Sequence, residues 1–192
     1  NRLPGGTATG ISAIRRLAPG DAPTIIDVGT GGADLPRRIR RELPRATVLG
    51  VDVHDAVLEV ARSWTRTDAA LELQWGDARA LPLPDASVDV AHASLVLHHL
   101  APRDAVQVLR EMRRVARGGV VINDLRRGTA AYGLTALLVL GLARNRVTRH
   151  DGLLSARRAY TLSELDAMAA DAGLRPVWRS PAFLPRVVTA YR

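Results

Sequence analysis

With 192 residues, 47% hydrophobic and 24% charged, the chain suits one domain (1–192) whose core is large enough to need no staples. The absence of Cys excludes disulfides, thiolate metal sites and a cysteine nucleophile. The formal charge of +8 rests on 27 basic residues that are all Arg, with seven scattered aromatics and no Arg run longer than two. Nucleic-acid binding would want aromatic platforms or a recognisable reading module, so nucleic acid is not expected as the substrate.

Asn1 to Gly20 holds no apolar run of signal-peptide length, so no secretory leader is expected and the chain is read as cytoplasmic. A first residue of Asn is consistent with a trimmed or processed N-terminus. Ile11, Ile14 and Leu17 recur at helical spacing over Thr7 to Leu17, which predicts a helix within residues 1–20 that covers the ligand site.

Further along, strand-length apolar runs alternate with helical stretches, the pattern of βαβ units and a parallel sheet. Thr24–Val28 is a first buried strand, Leu35–Glu42 a helix, Thr47–Asp52 a second strand and Ala56–Arg66 a second helix. Leu71–Trp75, Val88–Ala93 and Val120–Asp124 give three more strands, with a helix over Arg103–Ala116. Thr161 and Glu164 form a Thr-x-x-Glu capping box that opens the last helix, and Gly173 closes it. Pro176–Arg179 and Arg186–Tyr191 read as two short final strands, the last antiparallel. One segment breaks the alternation. Residues 126–160 enclose an uncharged run, Ala130 to Ala143, too short to cross a bilayer, so no transmembrane segment is expected. Following the fifth strand, it lies at the carboxyl ends of the strands, where open α/β sheets bind ligands, and it reads as an insertion or lid.

The informative stretch is Asp27-Val28-Gly29-Thr30-Gly31-Gly32-Ala33-Asp34. Gly29 and Gly31 after a strand allow a tight turn and close approach of backbone to ligand. A dinucleotide fingerprint would place its third Gly where Asp34 stands, and two carboxylates beside a helix N-terminus repel a pyrophosphate. They suit a ligand that is cationic or carries an ammonium. No Gly-Lys-Ser/Thr follows, which excludes a P-loop. Asp52 ends the second strand, where an acid can accept both hydroxyls of a ribose. Asp77 follows the third, where a carboxylate can meet an adenine amino group while the Ala78 amide faces a ring nitrogen. Singly, each acid reads as a cap or turn residue; at the ends of three successive strands they read as a site.

On Ile26–Ala33, Gly50–His54, the run Gly76–Asp89, Leu97-His98-His99-Leu100 and Glu111–Gly119, the chain resembles the class I S-adenosylmethionine-dependent methyltransferases. It is most similar to the small-molecule group typified by ubiquinone and menaquinone biosynthesis. The resemblance is strong over Thr24 to Asp124. It implies a single Rossmann-like, doubly wound α/β domain with a mostly parallel sheet of seven strands, the last antiparallel. It implies S-adenosyl-L-methionine as cofactor, bound by Asp27, Gly29, Thr30, Gly31, Asp52, Val53, Asp77, Ala78 and Ala93. Two departures stand out: Ala33 replaces the usual third glycine, tolerable if its φ stays negative, and the loop before the fifth strand is short.

The implied reaction is methyl transfer to a small-molecule acceptor, phenolic, polyketide-like or quinone-like. A non-catalytic adenosyl-binding regulator, a methyltransferase acting on nucleic acid or protein, and an NAD-dependent reductase are the rival readings. Where the acceptor is a hydroxyl, a general base helps, and His98, His99 and His150 are the candidates. His98 and His99 can equally well only pack, and His150 and Asp151, adjacent in sequence, do not face each other easily. The spacing of these residues argues for no metal site. A homodimer is compatible with the sequence.

Overall fold

The computed structural model describes residues 6–18, 20–128, 158–181 and 186–192. His150 and most of the 126–160 insertion lie outside the described residues. The chain forms α1 (Gly6–Leu17), β1 (Thr24–Val28), α2 (Asp34–Glu42), β2 (Thr47–Asp52), α3 (Asp55–Thr65), β3 (Leu71–Trp75) and β4 (Val88–Ser94). A single 3₁₀ turn, Leu97–His99, leads to α4 (Pro102–Val115) and β5 (Ala116–Leu125). After the insertion come α5 (Leu162–Asp171), β6 (Pro176–Arg179) and β7 (Arg186–Tyr191).

The seven strands lie in the order β3-β2-β1-β4-β5-β7-β6. All neighbours are parallel except β7, which pairs antiparallel with both β5 and β6. The chain winds outward from β1 through β2 to β3, then returns to place β4 on the other side of β1. The crevice outside the ends of β1 and β4 is therefore the topological switch point, where ligands bind in such sheets.

Strand alternation divides the core into two layers. Ile25 and Val90 point to α1, α2 and α3, packing with Ile11, Ile14, Ile39 and Leu58. Ile26, Ala91 and Ala93 point the other way, with Leu109, Met112 and Leu165 of α4 and α5. The apolar stripe of α1 is thus core, packed on the sheet over β4, β5 and β7.

Local chemistry sets the ends of several elements. Pro102 starts α4 at a position whose N–H has no helical partner. The Thr161–Glu164 capping box opens α5, and Gly173, at φ +78°, follows it in the left-handed region. Between α4 and β5 the loop is absent altogether, since the helix ends at Val115 and the strand begins at Ala116. Asp89 fastens the lower end of the sheet: one oxygen accepts the Thr24 amide and hydroxyl, both at 2.8 Å, and the other the Arg117 Nε at 2.8 Å.

One expectation is overturned. Ala33 does not keep a negative φ; it sits at φ 57°, ψ 27°, fully buried at the start of α2. The backbone takes the left-handed turn that glycine would take, and packing beneath α2 holds the methyl there despite a penalty of about 1–2 kcal/mol.

Candidate functional site

Two cavities open at the switch point and share Gly29 and Leu95. The larger, about 590 Å³, runs past Asp52, Val53, Asp77, Ala78 and His99. The smaller, about 280 Å³, lies over the glycine turn, walled by Asp27, Thr30, Gly31, Asp34 and Ser94. Of the nine residues implied for the cofactor, eight line one or other cavity. Ala93 does not: it points into the α4–α5 layer and is 1% exposed. No described residue of α1 is in either lining.

The glycine turn is shaped for close approach. Gly29 has φ +68°, and a Cβ there would stand 2.5 Å from Val96 Cγ2. Gly31 has φ +52°, with nothing within 4 Å of where its Cβ would be, so its backbone faces open space. Leu95, at φ 60°, adopts the left-handed conformation without being glycine, a strain that concentrates at binding sites.

Three carboxylates are held in place. Asp27, 3% exposed, accepts the Thr30 hydroxyl on Oδ2 at 2.8 Å and faces the His92 Nδ1 with Oδ1 at 2.8 Å. Asp52 accepts the Gly31 amide on Oδ2 at 2.8 Å, while its Oδ1 accepts the His54 amide at 3.0 Å. Asp77 is gripped by Arg79, through Nε at 3.1 Å to both oxygens and Nη2 at 2.7 Å to Oδ2. That guanidinium holds the Asp77 carboxyl below the usual carboxylate range. The loop carrying Asp77 is in turn tied to α4, where Glu111 accepts the Leu81 amide at 2.8 Å and Arg114 donates to the Leu81 and Leu83 carbonyls.

The structure separates the histidine pair. His98 is buried, its Nδ1 2.5 Å from Oδ1 of Asp124, whose Oδ2 accepts the Leu97 amide at 2.8 Å. His99 stacks on His98 with ring centroids 4.0 Å apart and is the one that reaches the larger cavity. Burial first, and the His98 ring next, push the His99 pKa down.

Sequence reasoning read His92 and Asp124 as strand residues only, and read Arg186 as the start of a strand. Arg186 is 6% exposed and donates to the Ser94 hydroxyl at 3.1 Å; burial lowers its pKa and the Asp124 charge opposes that. A signal for Asp124 was present, since it stands one residue short of the end of β5, much as Asp52 ends β2. No comparable signal marks His92.

These residues fit an adenosyl ligand with an amino-acid tail. Asp52 lines the larger cavity and accepts the Gly31 amide of the smaller, where it can receive a ribose; an apolar wall of Val53, Ala78, Leu100 and Val108 can receive a purine, and an open-faced turn beside Asp27 and Asp34 can receive an ammonium. Among the described residues no helix is long and apolar enough to cross a membrane.

Known proteins agree with this geometry. The family described as methyltransferase domain matches residues 25–119. A demethylmenaquinone methyltransferase of Thermotoga maritima is 32% identical over 103 residues, 53% of this chain and 43% of that protein. A ubiquinone/menaquinone biosynthesis C-methyltransferase of Syntrophotalea carbinolica is 28% identical over 151 residues, 78% of this chain and 63% of that protein. The chain spans less than two thirds of the length of the curated relatives it matches. In fold it is similar to a SAM-dependent methyltransferase from Aquifex aeolicus, with a TM-score of 0.72 at 17% identity, covering 95% of this chain and 88% of that one. Motifs, topology and relatives converge: residues 25–119 carry a methyltransferase domain, and the chain is similar in sequence and fold to the class I S-adenosylmethionine-dependent methyltransferases.

Proposed function

We propose that this protein binds S-adenosylmethionine across the two cavities and transfers its methyl group to a small-molecule acceptor. The observation that carries the reading is the pair of cavities meeting at Gly29 and Leu95, with Asp52 and Asp77 along one and Asp27 and Asp34 along the other. Asp52 accepts from the ribose hydroxyls, Ala78 and Asp77 address the adenine edge, and the turn from Gly29 to Gly31 takes the amino-acid end. The cofactor, when bound, supplies an electrophilic methyl on a sulfonium. The protein's own part is to hold the acceptor in line and keep water away, from which most of the rate comes.

His99, whose pKa is pushed down by burial and by the His98 ring, walls the cofactor cleft, and His98 is its buttress on Asp124. The acceptor enters from the ends of β4 and β5, where Ser94 and Arg186 stand. The 126–160 segment supplies acceptor specificity, because its two ends are fastened there by the Arg126–Tyr160 bridge and the Arg127 amide on the Tyr160 carbonyl at 2.9 Å. Relatives named for quinone precursors and for malonyl-[acyl-carrier protein] make a phenol or quinol, or a carboxylate, the first acceptors to try.

Calorimetry with S-adenosylmethionine, followed by a phenol, quinol and carboxylate panel scored by S-adenosylhomocysteine release, tests the reading. Binding with turnover of one acceptor class supports it. Binding without turnover of any acceptor would favour a non-catalytic adenosyl-binding protein, and binding of NADH instead would point to a reductase.

A further inference from the structure

His92 has no part in the reading above, yet it lies directly beneath the glycine turn. It is the sheet partner of Asp27 across β1 and β4, and both side chains point to the α1 layer. The ring is 0% exposed, and its one hydrogen bond runs from Nδ1 to Oδ1 of Asp27 at 2.8 Å. On the far side, Nε2 is buried with no hydrogen-bond partner. It faces Gly10 of α1, where a Cβ would stand 3.4 Å away. The Nδ1–H tautomer is the one that makes this bond, with Asp27 accepting. Gly10, lacking a side chain, lets α1 lie against the ring.

A buried carboxylate remains an anion only where donors face it, and a buried polar atom without a partner is destabilising by about 1–3 kcal/mol. The site tolerates an orphaned Nε2 while giving Nδ1 to Asp27. For packing alone, an aliphatic side chain in β4 would serve without that penalty. Asp27 meanwhile has both oxygens held, by His92 and Thr30, and still borders the smaller cavity.

We infer that His92 is a positioning residue for ligand binding: it holds Asp27 as an oriented anion under the glycine turn, so that the turn selects the ammonium-bearing end of its ligand. The inference rests on the methyltransferase reading of the cleft and adds to it a specificity determinant in the middle of a strand. His92 touches no ligand atom; it acts through Asp27.

The test compares two ligands that share the nucleoside and differ at the turn. S-adenosylhomocysteine carries the amino-acid tail, and 5′-methylthioadenosine lacks it. In His92→Leu the dissociation constant for S-adenosylhomocysteine should rise about tenfold or more, while that for 5′-methylthioadenosine stays within about twofold. His92→Asn, whose amide N–H reaches where Nδ1 stood, should restore most of the lost affinity. Should His92→Leu fail to fold, Asp27→Asn, which keeps the shape and removes the charge, must show the same split between ligands. Equal weakening of both ligands, or of neither, would reduce His92 to a packing residue and overturn the inference. A wild-type protein that binds neither ligand would overturn the methyltransferase reading itself, and the inference with it; a wild type that binds both while the variants show no split overturns only the role of His92.

Discussion

The Asp52 carboxylate accepts the Gly31 amide at 2.8 Å, so the acid that ends β2 and the glycine turn that follows β1 are already joined. One side chain therefore shapes both cavities, and a ribose competes for, or shares, the oxygen that orders the turn. Asp52→Ala removes the anchor of Gly31 and, on the proposed mode of binding, two ribose hydrogen bonds. The expected loss is about 2–3 kcal/mol of S-adenosylhomocysteine affinity. Calorimetry reads this directly, and an unchanged dissociation constant would remove Asp52 from the site.

Arg79 occupies the acceptor positions of Asp77 and is itself half exposed. An adenine amino group approaching Asp77 must displace part of that grip. Arg79→Ala should consequently tighten S-adenosylhomocysteine binding, by about threefold to tenfold. High salt, which weakens exposed ion pairs, should tighten binding by the wild type and leave the variant unchanged. Weaker binding by Arg79→Ala would mean that the guanidinium orients Asp77 for the ligand.

Gly29 carries the steepest steric demand of the turn, with a positive φ and Val96 Cγ2 2.5 Å from any added Cβ. Val96 is β-branched and stiff, so it cannot swing aside cheaply. Gly29→Ala should lower stability by about 2 kcal/mol or more and abolish adenosyl-ligand binding. Gly31→Ala meets no neighbour and bears only the backbone penalty, about 1–2 kcal/mol. Chemical denaturation of the two variants side by side checks the contrast.

Acid should loosen the sheet at Asp89. Burial alone would raise its pKa, but the Thr24 amide and hydroxyl and the Arg117 guanidinium outweigh it, and the net shift is downward. A carboxyl lowered on folding contributes stability above its unfolded pKa and loses it as pH falls through the folded value. The stability gap between wild type and Asp89→Asn should be constant above about pH 5 and shrink below about pH 4. Urea melts across that range measure it; a gap that widens toward acid would contradict the sign.

Much of this architecture is legible in the sequence because its signals are local. β1, β2, β3, β6 and β7 have the bounds that alternation and turn residues predict, and the capping box at Thr161 and Glu164 forms as spaced. The residues read for the cofactor, Ala93 apart, line the two cavities because strand ends and a glycine turn bring them together by topology. Ala33 was misread because the sign of its φ is imposed by packing under α2, which residue identity does not encode. His92 went unnoticed for a related reason. Its partner Asp27 is 65 positions away, and only the register of β1 against β4 makes them neighbours. The separation of His98 from His99 likewise depends on Asp124, which reaches the 3₁₀ turn across the sheet.

The Arg127 amide and the Tyr160 carbonyl close the chain on itself at 2.9 Å, so whatever lies between leaves and rejoins the domain at a single point. Tyr160 also donates its hydroxyl to the Leu100 carbonyl at 2.7 Å, which fixes that point beside the cleft. Lengthening or exchanging a segment spliced in this way changes its closure free energy by only about 0.6 kcal/mol for each doubling of length. Residues 128–159 could therefore be exchanged wholesale at little cost in closure, while the strands and acids that line the cleft are inherited untouched. In that sense the bond at Tyr160 is a seam along which the chain can diversify.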